Sequence, residues 1–234
     1  MGPPVCGPGG SLFQPPRWPM ARVSFLVDGF NVYHSLDQLQ KAAGASVKWL
    51  DLRKLCAAYM QVVRQHAGER TELAAVHYFS ARPDFLLHRK PDTVARFDRY
   101  MSALRASGVH VNLSQFKRKD VTCALCGRSF VRHEEKETDV ALAMKLIEVF
   151  ATGECDTAVL VTGDTDLIPA IRAVNRILPR SRIGVAFPVF RHNVELERAA
   201  HYSFKISQKH VQHAQFPADF VLTDGTILSK PRTW

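Results

Sequence analysis

Apolar runs of strand length alternate along the chain with stretches whose apolar residues recur at helical spacing. Val23–Val27 (VSFLV) reads as a buried strand ending at Asp28-Gly29. Apolar positions from Val32 to Leu39 predict a first helix, with a loop around Gly44. Asp51 is placed to cap a helix from about Leu52 to Gln65, and Gly68 lies beyond its end. Leu73–Phe79 (LAAVHYF) gives a second strand. Pro91 opens a helix carrying Val94, Phe97, Tyr100, Met101 and Leu104, which stops at Gly108. The alternating Val109–Phe116 (VHVNLSQF) makes a third strand.

Residues 117–135 break this rhythm with charge, a cysteine pair and Gly127, as an inserted hairpin would. Thr138 to Phe150 then repeats Val140, Leu142, Ala143, Leu146, Ile147 and Phe150 at helical spacing. Thr157–Val161 is a β-branched strand, followed by the turn GDTD and a helix from about Leu167 to Leu178. Ile183–Phe187 is a strand, Asn193–Ala200 a short helix, and Tyr202–Ile206 a last strand. A helix to about His213 and a tail complete the chain, and no internal repeat is present.

Strands that alternate with helices predict an α/β fold, a mostly parallel central sheet between two helical layers. Ligands of such sheets bind beyond the carboxyl ends of the strands, near a switch in strand order. Residues 20–213 then form one domain, preceded by a Gly/Pro-rich arm (1–19) expected to be disordered and followed by the tail 214–234. Translation starting at Met20 would remove the arm altogether.

Composition narrows the class. Of 234 residues, 46% are hydrophobic and 23% charged, which excludes a wholly disordered or fibrous chain. Lys+Arg of 31 against Asp+Glu of 22 gives a net charge of +9, which favours a polyanionic partner. No run approaches the ~20 apolar residues of a membrane-spanning helix, and residues 1–19 lack the ordered parts of a signal peptide. Five scattered cysteines do not make a disulfide scaffold, so reduced thiols in the cytoplasm are expected. There is no GxGxxG, GxxxxGK[ST] or GxSxG, hence no support for a nucleotide cofactor or a serine hydrolase.

Four aspartates fall where chemistry is expected. Asp28 ends the first strand, Asp164 and Asp166 follow the Thr157–Val161 strand, and Asp139 opens the helix after the hairpin. Converging carboxylates suit Mg²⁺ or Mn²⁺, hard cations that can hold a phosphodiester and activate water. Asn31, Thr162 and Thr165 are placed to orient an acid or a ligand by hydrogen bonding. Taken singly, each aspartate reads equally well as a helix N-cap.

Cys123-Ala-Leu-Cys126-Gly127 has the spacing of a zinc knuckle, with His133 near in sequence and His88 or His110 as other partners. Free thiols on a hairpin, or a redox pair, are the alternatives. Lys117, Arg118, Lys119, Arg128 and Arg132 flank the pair, and Arg82, His88, Arg89, Lys90, Arg96 and Arg99 follow the second strand. As a set they suit phosphate contacts, with Phe130 placed to stack on an unpaired base. Singly, each reads as solvated surface, and Phe130 as packing beneath the hairpin.

FLVDGFNVYHSL, EKETDVALAMKLIE and DTAVLVTGDTDLIPAIRAV resemble the three motifs of the NYN domain in its LabA-like branch, within the PIN-like nuclease superfamily. The resemblance spans about Ala21 to Val211. It implies a PIN-like three-layer sandwich and Mg²⁺- or Mn²⁺-dependent cleavage of RNA. The motif acids fall on Asp28, Asp139, Asp164 and Asp166, the motif asparagine on Asn31, and on Lys136 a lysine that touches the scissile phosphate or pairs with a carboxylate. The hairpin Lys117–Glu135 departs from the minimal domain.

The expected function is therefore that of a metal-dependent endoribonuclease, a hydrolase of RNA. Its rival is a non-catalytic RNA-binding or regulatory module of the same fold. A phosphohydrolase built on Asp164-Thr-Asp166 ranks below both, because such a pair normally follows the first strand. Assembly into a homo-oligomer stays open.

Overall fold

In the computed structural model, residues 20–44 and 46–234 are described; the expected arm 1–19 lies outside them. Seven strands form the central sheet: β1 (Ala21–Asp28), β2 (Thr71–Arg82), β3 (His110–Thr122), β4 (Ser129–Lys136), β5 (Thr157–Val161), β6 (Arg182–Phe187) and β7 (Tyr202–Lys205). Their order is β4-β3-β2-β1-β5-β6-β7, all parallel except β4, which returns antiparallel along β3. The α/β architecture with a mostly parallel sheet is the one the alternation predicts.

The helices are α1 (Gly29–Ala43), α2 (Leu52–Ala58), α3 (Met60–Ala67), α4 (Pro91–Ala106), α5 (Thr138–Ala151), α6 (Ile168–Ile177), α7 (Val194–Ala199) and α8 (Gln208–His213). β1 and β5 are buried almost throughout because both sheet faces are covered, and so they read as near-continuous apolar runs. One core joins Phe25 and Val27 to α1–α4 and α8, with Leu36, Trp49, Val63 and Met101 at its centre. The other joins Leu26 and Leu160 to α5, α6 and α7 through Leu146, Ile171 and Leu196.

The chain winds outward from β1 through β2 to β3, and then returns to lay β5 on the other side of β1. Helices change face where the winding reverses, as right-handed crossovers require. The carboxyl ends of β1 and β5 thus lie side by side at the switch point.

Three elements differ from the sequence expectation. The helix over Leu52–Gln65 breaks at Tyr59 (φ −97°, ψ 0°). The Tyr59 ring stacks on Phe204 at 5.0 Å, and its hydroxyl accepts the Ser207 N–H at 2.7 Å, which ties this turn to β7. The third strand does not stop at Phe116 but continues to Thr122, so the cysteine hairpin extends the sheet itself. The segment read as a tail carries a small hairpin of β8 (Asp219–Val221) and β9 (Ile227–Ser229), and Trp234 packs 5.4 Å from Tyr100 and 6.4 Å from Trp49. Isolated aromatic residues carry no period, and only tertiary contact reveals this packing. Among the described residues no helix is long and apolar enough to cross a membrane.

Candidate functional site

Asp28 closes β1 and caps α1. Its Oδ1 accepts the backbone N–H of Asn31 at 3.0 Å; its Oδ2 accepts the Asn31 side-chain amide at 3.0 Å and the Thr162 hydroxyl at 2.8 Å. Asp28 is only 4% exposed. The next position must be glycine, because a Cβ on Gly29 would strike the Phe79 carbonyl and the Tyr78 ring. Burial pushes the Asp28 carboxyl above its ordinary range and the charge of Asp164 adds to this, while the three hydrogen bonds pull the other way.

The end of β5 is locked to the same residues. Thr162 is fully buried, and its hydroxyl oxygen accepts the Asp164 N–H at 3.0 Å while its proton goes to Asp28. The Gly163 N–H donates to Asn31 Oδ1 at 3.1 Å. Gly163 lies so close to the Arg191 carbonyl that a Cβ there would overlap it. Asp164 caps the single 3₁₀ turn Thr165–Leu167, accepting the Asp166 N–H on Oδ1 at 3.0 Å. The capping account is thus correct for Asp28 and Asp164. It does not exhaust them, since a carboxylate has about four lone-pair sites and the bonds above use three and one.

Asp139 stands in the first turn of α5 and carries no capping bond; the cap position is Glu137, in the left-handed region at φ 77°. Ligand oxygens of Asp28, Asp139 and Asp164 all lie within 4.8 Å of one another. Among the described residues, none of the three makes an ion pair with a lysine or arginine. Burial, then the charges of Asp28, Asp164 and Asp166, raises the Asp139 carboxyl. An all-oxygen donor set with mutual repulsion and no ion-paired lysine or arginine fits a hard divalent cation. Asp166 is exposed and stays outside the group of three, adding its field from the rim.

Two neighbours of the cluster were not singled out in the sequence. Glu135, on β4, is half-buried; burial and then the charges of Asp139 and Asp28 push its carboxyl up to about 7. Its Oε1 is buried with no hydrogen-bond partner among the described residues. Strand alternation carried the signal, since Glu134 turns to Lys119 and Lys136 while Glu135 turns to the opposite side. Arg191 lies against Gly163, and its Nε is likewise buried and unpartnered among the described residues. A lone arginine in a loop gives no such signal.

The basic hairpin residues are exposed, and most face acids: Lys117 pairs with Glu137 (3.4 Å), Arg118 with Asp120 (2.9 Å), Lys119 with Glu134 (2.9 Å) and Lys136 with Glu134 (3.2 Å). Exposed pairs of this kind open readily. Arg128 and Arg132 make no ion pair among the described residues. Phe130 is 51% exposed on the hairpin rather than packed beneath it. Arg82 is held by both oxygens of Asp98 and by Asp84, a structural role rather than a free cation.

Cys123 and Cys126 sit at the hairpin tip, closed by Cys123 N–H to Arg128 O (2.8 Å) and Gly127 N–H to Cys123 O (2.9 Å). His133 does not join them: it faces Arg118 across the ladder and stacks on Phe85 at 4.2 Å. His110 stacks on His77 at 5.0 Å, away from the tip. Among the described residues the aspartate group is the one set of three or more potential ligands that converges.

A model of the NYN domain matches residues 22–207. Over 242 aligned positions the chain is 28% identical to 6-hydroxy-3-succinoylpyridine 3-monooxygenase HspA of Pseudomonas putida, covering 91% of this chain and 75% of that protein. A crystal structure of a protein of unknown function from Vibrio parahaemolyticus superposes with a TM-score of 0.52 at 18% identity, over 81% of this chain and 94% of that one. The likeness to the Vibrio protein shows the fold.

Proposed function

The chain belongs to the NYN domain family, and we propose that it is a Mg²⁺- or Mn²⁺-dependent endoribonuclease of the LabA-like branch, acting in the cytoplasm. The observation that carries this reading is the convergence of Asp28, Asp139 and Asp164, without a cationic partner, at the switch point of the sheet.

Those three carboxylates would hold the cation, with Asp166 strengthening the field from the rim. When bound, the cation neutralises charge at a phosphodiester and acidifies water. The chain's own residues prepare that site. Asn31 and Thr162 fix both oxygens of Asp28, so the carboxylate needs no reorganisation as the substrate arrives. Glu135, half-buried beside Asp28 and Asp139, would take a proton from the attacking water. Water oxygen then joins phosphorus, one P–O ester bond breaks, and the leaving oxygen is protonated from solvent while Glu135 returns its proton to solvent. Lys117, Arg118, Lys119, Arg128, Arg132 and Lys136 hold the RNA strand along the hairpin.

Cleavage of a labelled RNA pool with Mg²⁺, Mn²⁺ or EDTA, run beside Asp164→Asn, tests this. Metal-dependent cleavage lost in the variant supports the nuclease. RNA binding without cleavage in either protein favours the non-catalytic module. A second reading comes from the relative named as a monooxygenase of a hydroxypyridine. An aromatic cavity beside the carboxylates favours a small heteroaromatic substrate, which binding of such a ring in the absence of any RNA activity would establish.

A further inference from the structure

A cavity of about 280 Å³ opens beside the carboxylates, between α1, α4, the turn after β2, and β3. An engineered apolar cavity of ~150 Å³ holds benzene, so this one has room for a substituted single ring or a fused pair. Its wall is aromatic. Phe30 meets Phe116 edge-on at 5.9 Å, Phe85 meets Phe116 edge-on at 4.9 Å, and His133 stacks flat on Phe85 at 4.2 Å, fixing that ring from behind. Ser80, buried and hydrogen-bonded to Tyr78, and Thr93 provide polar atoms among the aromatic lining.

The placement ties this cavity to the chemistry. Phe30 lines it and is two residues past Asp28, so their Cα atoms are at most about 7.6 Å apart. Lys48 and Arg96 also line it, the first lying 4.9 Å over the Tyr33 ring, the second donating to Thr93 Oγ1 at 3.0 Å. Lys48 is already paired with Asp37 at 2.5 Å, so it is the aromatic walls that describe a slot for a flat ring.

We propose that this cavity is a ring-binding subsite, taking the planar heteroaromatic ring of a substrate whose anionic group reaches the cation that the carboxylates would hold. The ring comes from the nucleotide beside the cleaved phosphate, an attribution that rests on the nuclease reading; the slot itself does not. A free heteroaromatic molecule is the other source of the same chemistry.

The full-length chain carrying Asp164→Asn, which blocks cleavage, is titrated with a short labelled oligoribonucleotide and with versions that lack one base at each position in turn. Adenosine and 2-hydroxypyridine are titrated separately. Thr93→Trp, on the half-exposed first turn of α4, fills the cavity, and Phe85→Ala removes part of its wall. A base stacked on aromatic side chains contributes ~1–3 kcal/mol, so losing the base at one position weakens binding about 5- to 150-fold. Both variants erase that dependence. Saturable binding of a free ring that Thr93→Trp abolishes, with no RNA bound, supports the slot and removes the nuclease attribution. RNA cleaved by the otherwise wild-type chain, with no base position sensitive and neither variant altering any titration, overturns the slot and leaves the nuclease standing.

Discussion

Asn31 holds Asp28 from two directions, its backbone N–H on Oδ1 and its side-chain amide on Oδ2, both at 3.0 Å. The same amide's oxygen accepts the Gly163 N–H, so one side chain spans the two strand ends that carry the acids. Partners of metal ligands typically contribute 10- to 100-fold to metal affinity or activity. Asn31→Ala is expected to weaken the Mn²⁺ dependence of cleavage by roughly that factor while the far-UV dichroism is retained. Unchanged metal titration curves would remove Asn31 from the site.

Protonation opposes that arrangement in the cation-free protein. Glu135, Asp28 and Asp139 all have folded pKa values above their ordinary ones. The folded chain therefore binds more protons than the unfolded chain in this window, and stability falls as pH rises through it. For Glu135 the window runs from 4.5 to about 7. In EDTA, Tm should drop between pH 5 and pH 7.5, Glu135→Gln should flatten the drop, and Mn²⁺ should reverse it. A Tm that rises with pH over this range contradicts the assignment.

Gly163→Ala places a methyl group on the Arg191 carbonyl and against the Arg191 Cβ, with no flexible side-chain end to yield. A loss of about 1–3 kcal/mol in urea unfolding is expected, of the order of overpacking in a tight interior. Loss of activity should accompany it, since the Gly163 N–H also positions Asn31. A variant as stable as the parent would show that the loop moves freely.

The hairpin is tested by salt. For a single strand, each phosphate contact contributes about 0.7 to the slope of log affinity against log salt. Replacing Arg128 and Arg132 by alanine should flatten that slope by roughly 1.4, with little effect on Tm because both are exposed. An unaltered slope places the RNA path elsewhere.

Thiol labelling divides the four cysteines of the described residues into two pairs. Cys56 and Cys155 are buried, with burial pushing the Cys155 thiol up to about 12. Backbone N–H groups of Cys126 and Leu125 lower the Cys123 thiol at the exposed tip. Peptide mapping after brief alkylation should find Cys123 and Cys126 modified and Cys56 and Cys155 intact. Protection of the tip pair that a chelator removes would instead indicate a bound metal there.

The order of strands and helices was legible because burial on both faces leaves an unmistakable apolar signature, as in β5. Asp28 and Asp164 were legible because strand ends are where a parallel sheet presents side chains. Glu135 was hidden among the charges of the hairpin, since its neighbours in space, Asp28 and Asp139, come from other elements. The break at Tyr59 and the packing of Trp234 follow from contacts with Phe204, Ser207 and Trp49, which no local pattern encodes.

Placing β1 between β2 and β5 also sets a clock on synthesis. Asp28 is made early, yet Thr162, to which it hydrogen-bonds, is 134 residues away, and Asp164 follows still later. At about 5–20 residues per second, the gap between the two acids takes roughly 7–27 s to translate. No nascent fragment short of β5 can assemble the three carboxylates. On the nuclease reading, a growing chain thus stays inactive at least until Asp164 has been made and β5 has joined β1.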